Sequence, residues 1–219
     1  MIILFTFLFL SCSSKPPEIM RIIWQINAMH DTETSENYET LSLFVDITDP
    51  DGIDDIDSLY LINDNRELYW ELTAEDWEKK TVANEIWIGS NSILMPDGSA
   101  LPRGEYRILV RDTGGDSDER TLLVNTPAAN LSRAYFPTLS FKNNIISIRG
   151  FKTAYNIWAY GKDGKFITSF NLNTKSVKLT GLTRTKPIIS DGFTCYVYTY
   201  SPGLKRGLIS GPYYIETSK

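Results

Sequence analysis

The sequence predicts an all-β protein, two tandem β-sandwich modules behind an apolar leader. Three observations carry this. Short stretches of alternating apolar and polar residues recur along the chain, the mark of half-buried strands. Clusters of Asp, Asn, Gly and Pro separate them, and these residues turn the backbone most readily. Formal charge also inverts along the chain: 8 Lys and Arg stand against 24 Asp and Glu in residues 18–126, but 13 against 3 in residues 127–219. Within a chain of net charge −5, such an inversion argues for two modules with different surroundings. With 42% hydrophobic and 22% charged residues, the composition is globular and leaves disorder to short linkers.

The chain opens with an apolar run from Ile2 to Leu10, followed by Ser11-Cys12-Ser13-Ser14-Lys15-Pro16-Pro17. That run is about half the ~20 residues a membrane-spanning helix needs, and it matches the apolar region of an export signal ending in small residues. These residues resemble the bacterial lipoprotein family, which implies cleavage after Ser11, a signal peptide over 1–11 and a lipidated Cys12 carrying thioether-linked diacylglycerol and an amide-linked acyl chain such as palmitate. The family's box has Leu, a small residue and Gly, Ala or Ser before the cysteine. Here Phe9, Leu10 and Ser11 precede Cys12, with Leu8 one position further out, and no Lys or Arg occurs before Lys15. A start site placed too late and a relaxed box both fit this departure. Residues 12–18 then form the anchor and a short extended tether.

In the first module, 19–126, Ile22, Trp24 and Ile26 alternate with polar residues, as do Leu41, Leu43, Val45 and Ile47. Asp49-Pro50-Asp51-Gly52 is a turn, Ser58 to Ile62 a strand, Asn63-Asp64-Asn65 a turn, and Arg66 to Leu72 a further strand. Thr73 to Trp77 reads as one capped helical turn, with Thr73 as N-cap and Asp76 at the box position. Glu85 to Ile88, Glu105 to Val110 and Glu119 to Val124 complete the sheets. Thr48-Asp49-Pro50-Asp51-Gly52-Ile53, together with Leu101-Pro102-Arg103-Gly104-Glu105-Tyr106 and Asp112-Thr113-Gly114-Gly115, resembles a bacterial immunoglobulin-like β-sandwich domain. The resemblance implies that Tyr106 turns inward from the penultimate strand and that the Asp-x-x-Gly makes the final hairpin. Tyr106, Ile108 and Val110 share one face, as that role requires.

Asn125 to Asn130 marks the boundary at 126/127 with the second module, 127–219. Its strands are Thr138 to Phe141, Ile145 to Arg149, Tyr155 to Tyr160, Phe166 to Leu172, Ser176 to Leu182, Phe193 to Tyr200 and Tyr213 to Ile215. Asn143-Asn144 is a turn. Lys162-Asp163-Gly164-Lys165 predicts a tight type I′ hairpin, because Asp-Gly tolerates two positive φ angles. Val177 to Leu182, the later long strand and Ser210-Gly211-Pro212 resemble a fibronectin type III module, although the loop from Thr183 to Gly192 is longer than that family has and Phe193 stands in place of a tyrosine.

Five carboxylates in nine residues, Asp49, Asp51, Asp54, Asp55 and Asp57, form the candidate metal site, since calcium takes six to eight oxygens. No EF-hand is meant, for its twelfth position from Asp49 is Tyr60 and not Glu; the competing reading is a solvated, self-capped turn. No cofactor other than calcium is expected. Catalysis finds no motif: nucleophile elbow, zincin and phosphate loop are all missing. His30 falls in a strand, and Cys195 reads as a small buried hydrophobe. Tyr196, Tyr198 and Tyr200 share one face of a strand whose other face carries Phe193, Cys195 and Val197; the tyrosines serve recognition in one register and the core in the other. Lys162, Lys165 and Lys205 are the candidate anion contacts within a basic set that also holds Lys142, Arg149, Lys152, Lys175, Lys178, Arg184, Lys186 and Arg206.

Together these features predict a lipid-anchored, non-enzymatic protein of the bacterial cell envelope, on the outer membrane if the cell has two, since Ser13 gives no inner-membrane retention signal by family resemblance. It would bind or scaffold an envelope protein or an anionic glycan. Nucleic acid is disfavoured by export, and a carbohydrate-active enzyme or its accessory binding module is the alternative. The basic module docking on the acidic one is a further expectation, compatible with either.

Overall fold

The computed structural model describes residues 15–83, 85–131, 136–152, 154–180 and 192–216. The leader, Cys12, Arg184 and Lys186 lie outside them. The described chain is nearly all β, with sandwich-like sheets. Its strands in order are β1 (Glu18–Asp31), β2 (Asn37–Thr48), β3 (Ile56–Asn63), β4 (Leu68–Leu72), β5 (Glu78–Val82), β6 (Glu85–Ile93), β7 (Gly104–Asp112), β8 (Ser117–Val124), β9 (Thr138–Lys142), β10 (Ile145–Arg149), β11 (Tyr155–Tyr160), β12 (Phe166–Leu172), β13 (Ser176–Lys178), β14 (Phe193–Ser201) and β15 (Arg206–Ile215). No helix of the described residues is long and apolar enough to cross a membrane.

Two compact units share these strands, and each is built of interleaved segments rather than one continuous stretch. Unit 1 takes residues 15–23, Phe44–Ser90 and Glu105–Leu123; unit 2 takes Trp24–Leu43, Asn91–Gly104 and residues 124–216. Strands β1, β2 and β6 therefore each contribute residues to both units.

Unit 1 contains the four-stranded sheet β4-β3-β7-β8. Alternation along β3 and β7 buries Leu59, Leu61, Tyr106, Ile108 and Val110, so Tyr106 does turn inward. The expected capped turn at Thr73 forms: the Trp77 N–H reaches the Thr73 carbonyl at 3.0 Å, closing one α-type turn, and the Asp76 N–H reaches it at 2.9 Å. The Thr73 backbone N–H donates to Asp76 Oδ2 at 3.1 Å, the reach-back half of a capping box, and the Thr73 hydroxyl donates to the same oxygen at 2.8 Å. The chain then leaves through a turn into β5, a strand the sequence reading missed, because one turn closes too few hydrogen bonds to nucleate a helix. Short 3₁₀ turns occupy Ile53–Asp55 and Asp64–Arg66.

In unit 2, β12-β11-β14-β15 continue to residues of β1 and β2, and β13-β10-β9 form a separate three-stranded sheet. All pairings among β12, β11, β14 and β15 are antiparallel, but β15 runs parallel to β1, from Asn27 opposite Gly207 to Asp31 opposite Gly211. The core joins Ile146 and Ile148 of β10 to Tyr155, Ile157 and Ala159 of β11, Phe170 and Leu172 of β12, and Phe193, Cys195 and Val197 of β14.

The hairpin chemistry is exchanged between two turns. Asn143 and Asn144 have φ of 51° and 61°, the pair of positive values that type I′ needs. At Asp163-Gly164 only Gly164 is positive, at 76°, which corrects the type I′ expectation there. A longer loop forms instead. The Gly161 N–H reaches the Lys165 carbonyl at 2.8 Å, and the Lys165 N–H is taken by Asp163 Oδ1 at 3.1 Å. The ladder register shifts between Ala159 and Tyr160, so the strand enters the loop one residue out of step.

A buried charge cluster organises the start of β15. Arg206 is fully buried, which corrects its place among the surface cations. Its Nη1 lies 2.6 Å from Glu39 Oε1, and its Nη2 donates to the Pro127 carbonyl. Arg103 forks onto the same carboxylate, Nη1 to Oε2 at 2.9 Å and Nη2 to Oε1 at 2.8 Å. Its Nε donates to the Thr126 carbonyl, so two guanidiniums on one carboxylate also hold the backbone of residues 126 and 127.

Candidate functional site

The two faces of β14 are resolved by its neighbours. Phe193, Cys195, Val197 and Thr199 are buried, and Tyr196, Tyr198 and Tyr200 stand on the opposite face. Strand β11 repeats the pattern, burying Tyr155, Ile157 and Ala159 and turning Asn156, Trp158 and Tyr160 the other way. Register sets Trp158 opposite Tyr196 and Asn156 opposite Tyr198. The indole of Trp158 stacks on Tyr198, with centroids 5.2 Å apart and planes at 15°. Tyr160 meets Tyr196 edge-on at 5.5 Å and Phe166 at 5.6 Å. Offset-stacked and edge-to-face pairs are the arrangements that the ring quadrupole favours.

This aromatic strip continues into amides. The Tyr198 hydroxyl lies 3.0 Å from Gln25 Nε2, which also donates to Asn27 Oδ1 at 2.7 Å. Asn27 Nδ2 donates to Ser42 Oγ at 2.9 Å, and Ser42 Oγ to Asn91 Oδ1 at 2.8 Å. The ladder needs Gly207 in β15: a Cβ there would lie 2.2 Å from Asn27 Oδ1 and 2.7 Å from Tyr198 Cε2. Opposite Tyr198, the Asn156 amide oxygen is buried without a partner among the described residues. Burial also raises the Tyr196 phenol, with smaller contributions from Asp31 and Glu33, so the ring stays neutral and keeps its proton as a donor.

The three candidate lysines are exposed but divided. Lys162 and Lys165 sit in the β11–β12 loop, beside the start of β14, whereas Lys205 sits in the β14–β15 turn beyond its end. A strand of nine residues separates them, roughly 30 Å at about 3.3 Å per residue. They form two rims rather than one patch.

In unit 1 the acidic turn is divided as well. Asp54 pairs with Lys79 at 2.9 Å, Asp57 with Arg111 at 2.9 Å, and Asp51 Oδ2 accepts the Lys15 backbone N–H at 3.0 Å. The Arg111 hydrogen bond, seconded by Ser58, holds the Asp57 carboxyl below the usual carboxylate range. Asp49 and Asp55 instead come together with Asp112, each offering an oxygen within 4.8 Å of the others. The sequence reading missed Asp112. Its signal in the sequence is the Asp112-x-x-Gly115 motif, which by itself marks a hairpin.

His30 and Cys195 both lie in the interior. His30 is buried, its Nδ1 lies 2.8 Å from Asn37 Oδ1, and its ring sits 5.5 Å from Phe136. Cys195 is a free, buried thiol that burial pushes up to about 12.

No protein-family model matches the chain, and no curated protein matches it. Among solved structures, dimeric latent PorU from Porphyromonas gingivalis aligns over 91% of this chain and 20% of its own, at 14% identity and a TM-score of 0.35. Tp47, the 47-kilodalton lipoprotein of Treponema pallidum, aligns over 77% of this chain and 45% of its own, at 11% identity and a TM-score of 0.29. The chain thus spans less than half the length of either.

Proposed function

We propose that this chain is a cell-envelope lipoprotein anchored through Cys12, built of immunoglobulin-like and fibronectin type III-like β-sandwich units whose segments interleave along the chain, and that it binds glycan without chemically altering it. One observation carries the binding reading: the Trp158, Tyr160, Tyr196 and Tyr198 rings are continuous with the Gln25-Asn27-Ser42-Asn91 amides. Flat rings offer area to the apolar face of a sugar, and the partly exposed Gln25 and Asn91 amides, held in line through buried Asn27, offer donors and acceptors to its hydroxyls at little cost in side-chain entropy. Lys162 and Lys165 at one rim and Lys205 at the other add attraction for an anionic polymer long enough to run along the strand.

The test is retention of the purified full chain on immobilised polygalacturonate. Trp158→Ala and Tyr198→Ala should abolish retention, while Tyr69→Ala, an exposed ring of unit 1, should leave it unchanged. Lys162→Glu with Lys165→Glu should lower the salt needed for elution. Equal retention of all variants would reject the aromatic face. Intact-mass analysis of detergent-extracted protein tests the anchor separately: an unmodified Cys12 behind an uncleaved leader removes the envelope assignment.

A further inference from the structure

Asp49 and Asp112 lie far apart in sequence, yet both bring a buried carboxylate oxygen that has no hydrogen-bond partner among the described residues. Asp112 closes β7 and is 1% exposed. Its Oδ1 accepts the Asp116 N–H at 2.8 Å across the β7–β8 hairpin, while its Oδ2 is buried without a partner. Asp49 repeats the arrangement: Oδ1 accepts the Asp51 N–H at 2.8 Å, and Oδ2 is buried and unpartnered. Asp55 spends Oδ1 on the Thr113 hydroxyl, and its carbonyl takes the Thr113 N–H at 2.9 Å, which ties the acidic turn to the hairpin. Each carboxylate is thus oriented by a hydrogen bond to one oxygen.

Three carboxylates converging on one point repel each other, and a buried charge without a counter-charge is costly. Hydrogen bonds to backbone N–H groups orient them but leave the remaining oxygens of Asp49 and Asp112 bare. A single cation removes both costs at once.

We infer that Asp49, Asp55 and Asp112 bind one calcium ion, which clamps the acidic turn to the β7–β8 hairpin. An all-carboxylate set selects a hard, oxygen-seeking cation over zinc or copper. Two oxygens on opposite sides of one calcium stand about 4.6–5.2 Å apart, against roughly 4.0–4.2 Å for magnesium. Oxygens within 4.8 Å of one another lie close enough to share one calcium ion, and magnesium, which dehydrates reluctantly, is the poorer match for a site built of protein carboxylates. Water would complete the shell of six to eight oxygens that calcium takes. This site differs from the run of five acidic residues read in sequence: Asp51, Asp54 and Asp57 stay outside it, and Asp112 is its innermost ligand. It stands independently of glycan binding by unit 2.

The test uses the full chain, stripped with chelator and titrated with calcium and with magnesium by calorimetry. One calcium per chain should bind, half-saturating below about 1 mM, and magnesium at least tenfold more weakly. A hundredfold excess over Kd should raise the Tm by about 5–10 °C. Asp112→Asn and Asp49→Asn should each lose binding, whereas Asp54→Asn should keep it. Because Asp112→Asn relieves repulsion, its Tm in chelator should equal or exceed that of the stripped parent, which separates lost binding from lost folding. No heat of calcium binding up to several millimolar, or equal loss in Asp54→Asn, would overturn the inference and leave the cluster as hydrogen-bonded turn carboxylates.

Discussion

Glu39 Oε1 and Arg206 Nη1 stand 2.6 Å apart in the interior of unit 2, 167 residues distant in sequence. Arg103 shares the carboxylate, so two cations depend on one anion. Breaking a buried pair by removing one partner costs more than the pair contributes, because the other charge is stranded. Glu39→Gln should therefore destabilise the protein by about 3–5 kcal/mol in urea unfolding. A loss below 1 kcal/mol would show that the guanidiniums find carbonyl partners enough without it.

Tyr155 makes a smaller test of the same unit. Its hydroxyl donates to the Lys152 carbonyl at 2.7 Å and accepts the Lys152 N–H at 3.0 Å, closing the bend before β11. Tyr155→Phe orphans both groups and should cost about 1–3 kcal/mol. Gly150→Ala should weaken the same bend, since a Cβ would lie 2.5 Å from that hydroxyl.

The thiol of Cys195 should be silent. It is fully buried and its pKa is pushed up to about 12, so at pH 8 almost no thiolate is available to attack a disulfide reagent. Native protein should show no fast-reacting thiol from this position, and denaturant should release one per chain. Fast native labelling at Cys195 would contradict its place in the core.

Acid should loosen unit 1. Asp57 is held below the usual range chiefly by Arg111, Asp64 by Arg107 and Glu85 by Arg21. Folded values lie below unfolded ones, so the stability these groups contribute is complete above about pH 4.5 and disappears as pH falls through the folded values. Thermal melts should be flat from pH 5 to 8 and fall below pH 4, with the fall blunted by salt because all three carboxylates face solvent.

Period-two alternation made the strands legible, and β10, β11 and β12 begin and end where the pattern does. Alternation could not say which face of β14 is inside, because a one-residue slip exchanges Tyr196 for Cys195 and leaves the pattern intact. Pairing with β11 and β15 decides it. The Asp49–Asp55–Asp112 cluster was half visible: the acidic turn announced itself by density, but its deepest member comes from a distant hairpin that only the fold brings near. Arg206 shows the same limit. A count of cations cannot tell a solvated one from one neutralised in the interior, and Glu39 offered no local cue.

The parallel pairing of β1 with β15 places an unusual demand on timing. A ribosome makes chains from the amino end, so Asn27 to Asp31 emerge long before Gly207 to Gly211 exist to receive them. Until then one margin of β1 is an open template on which another nascent chain can settle. Assembly of this unit is therefore a late event, and agents that occupy bare strand margins should matter most to its yield.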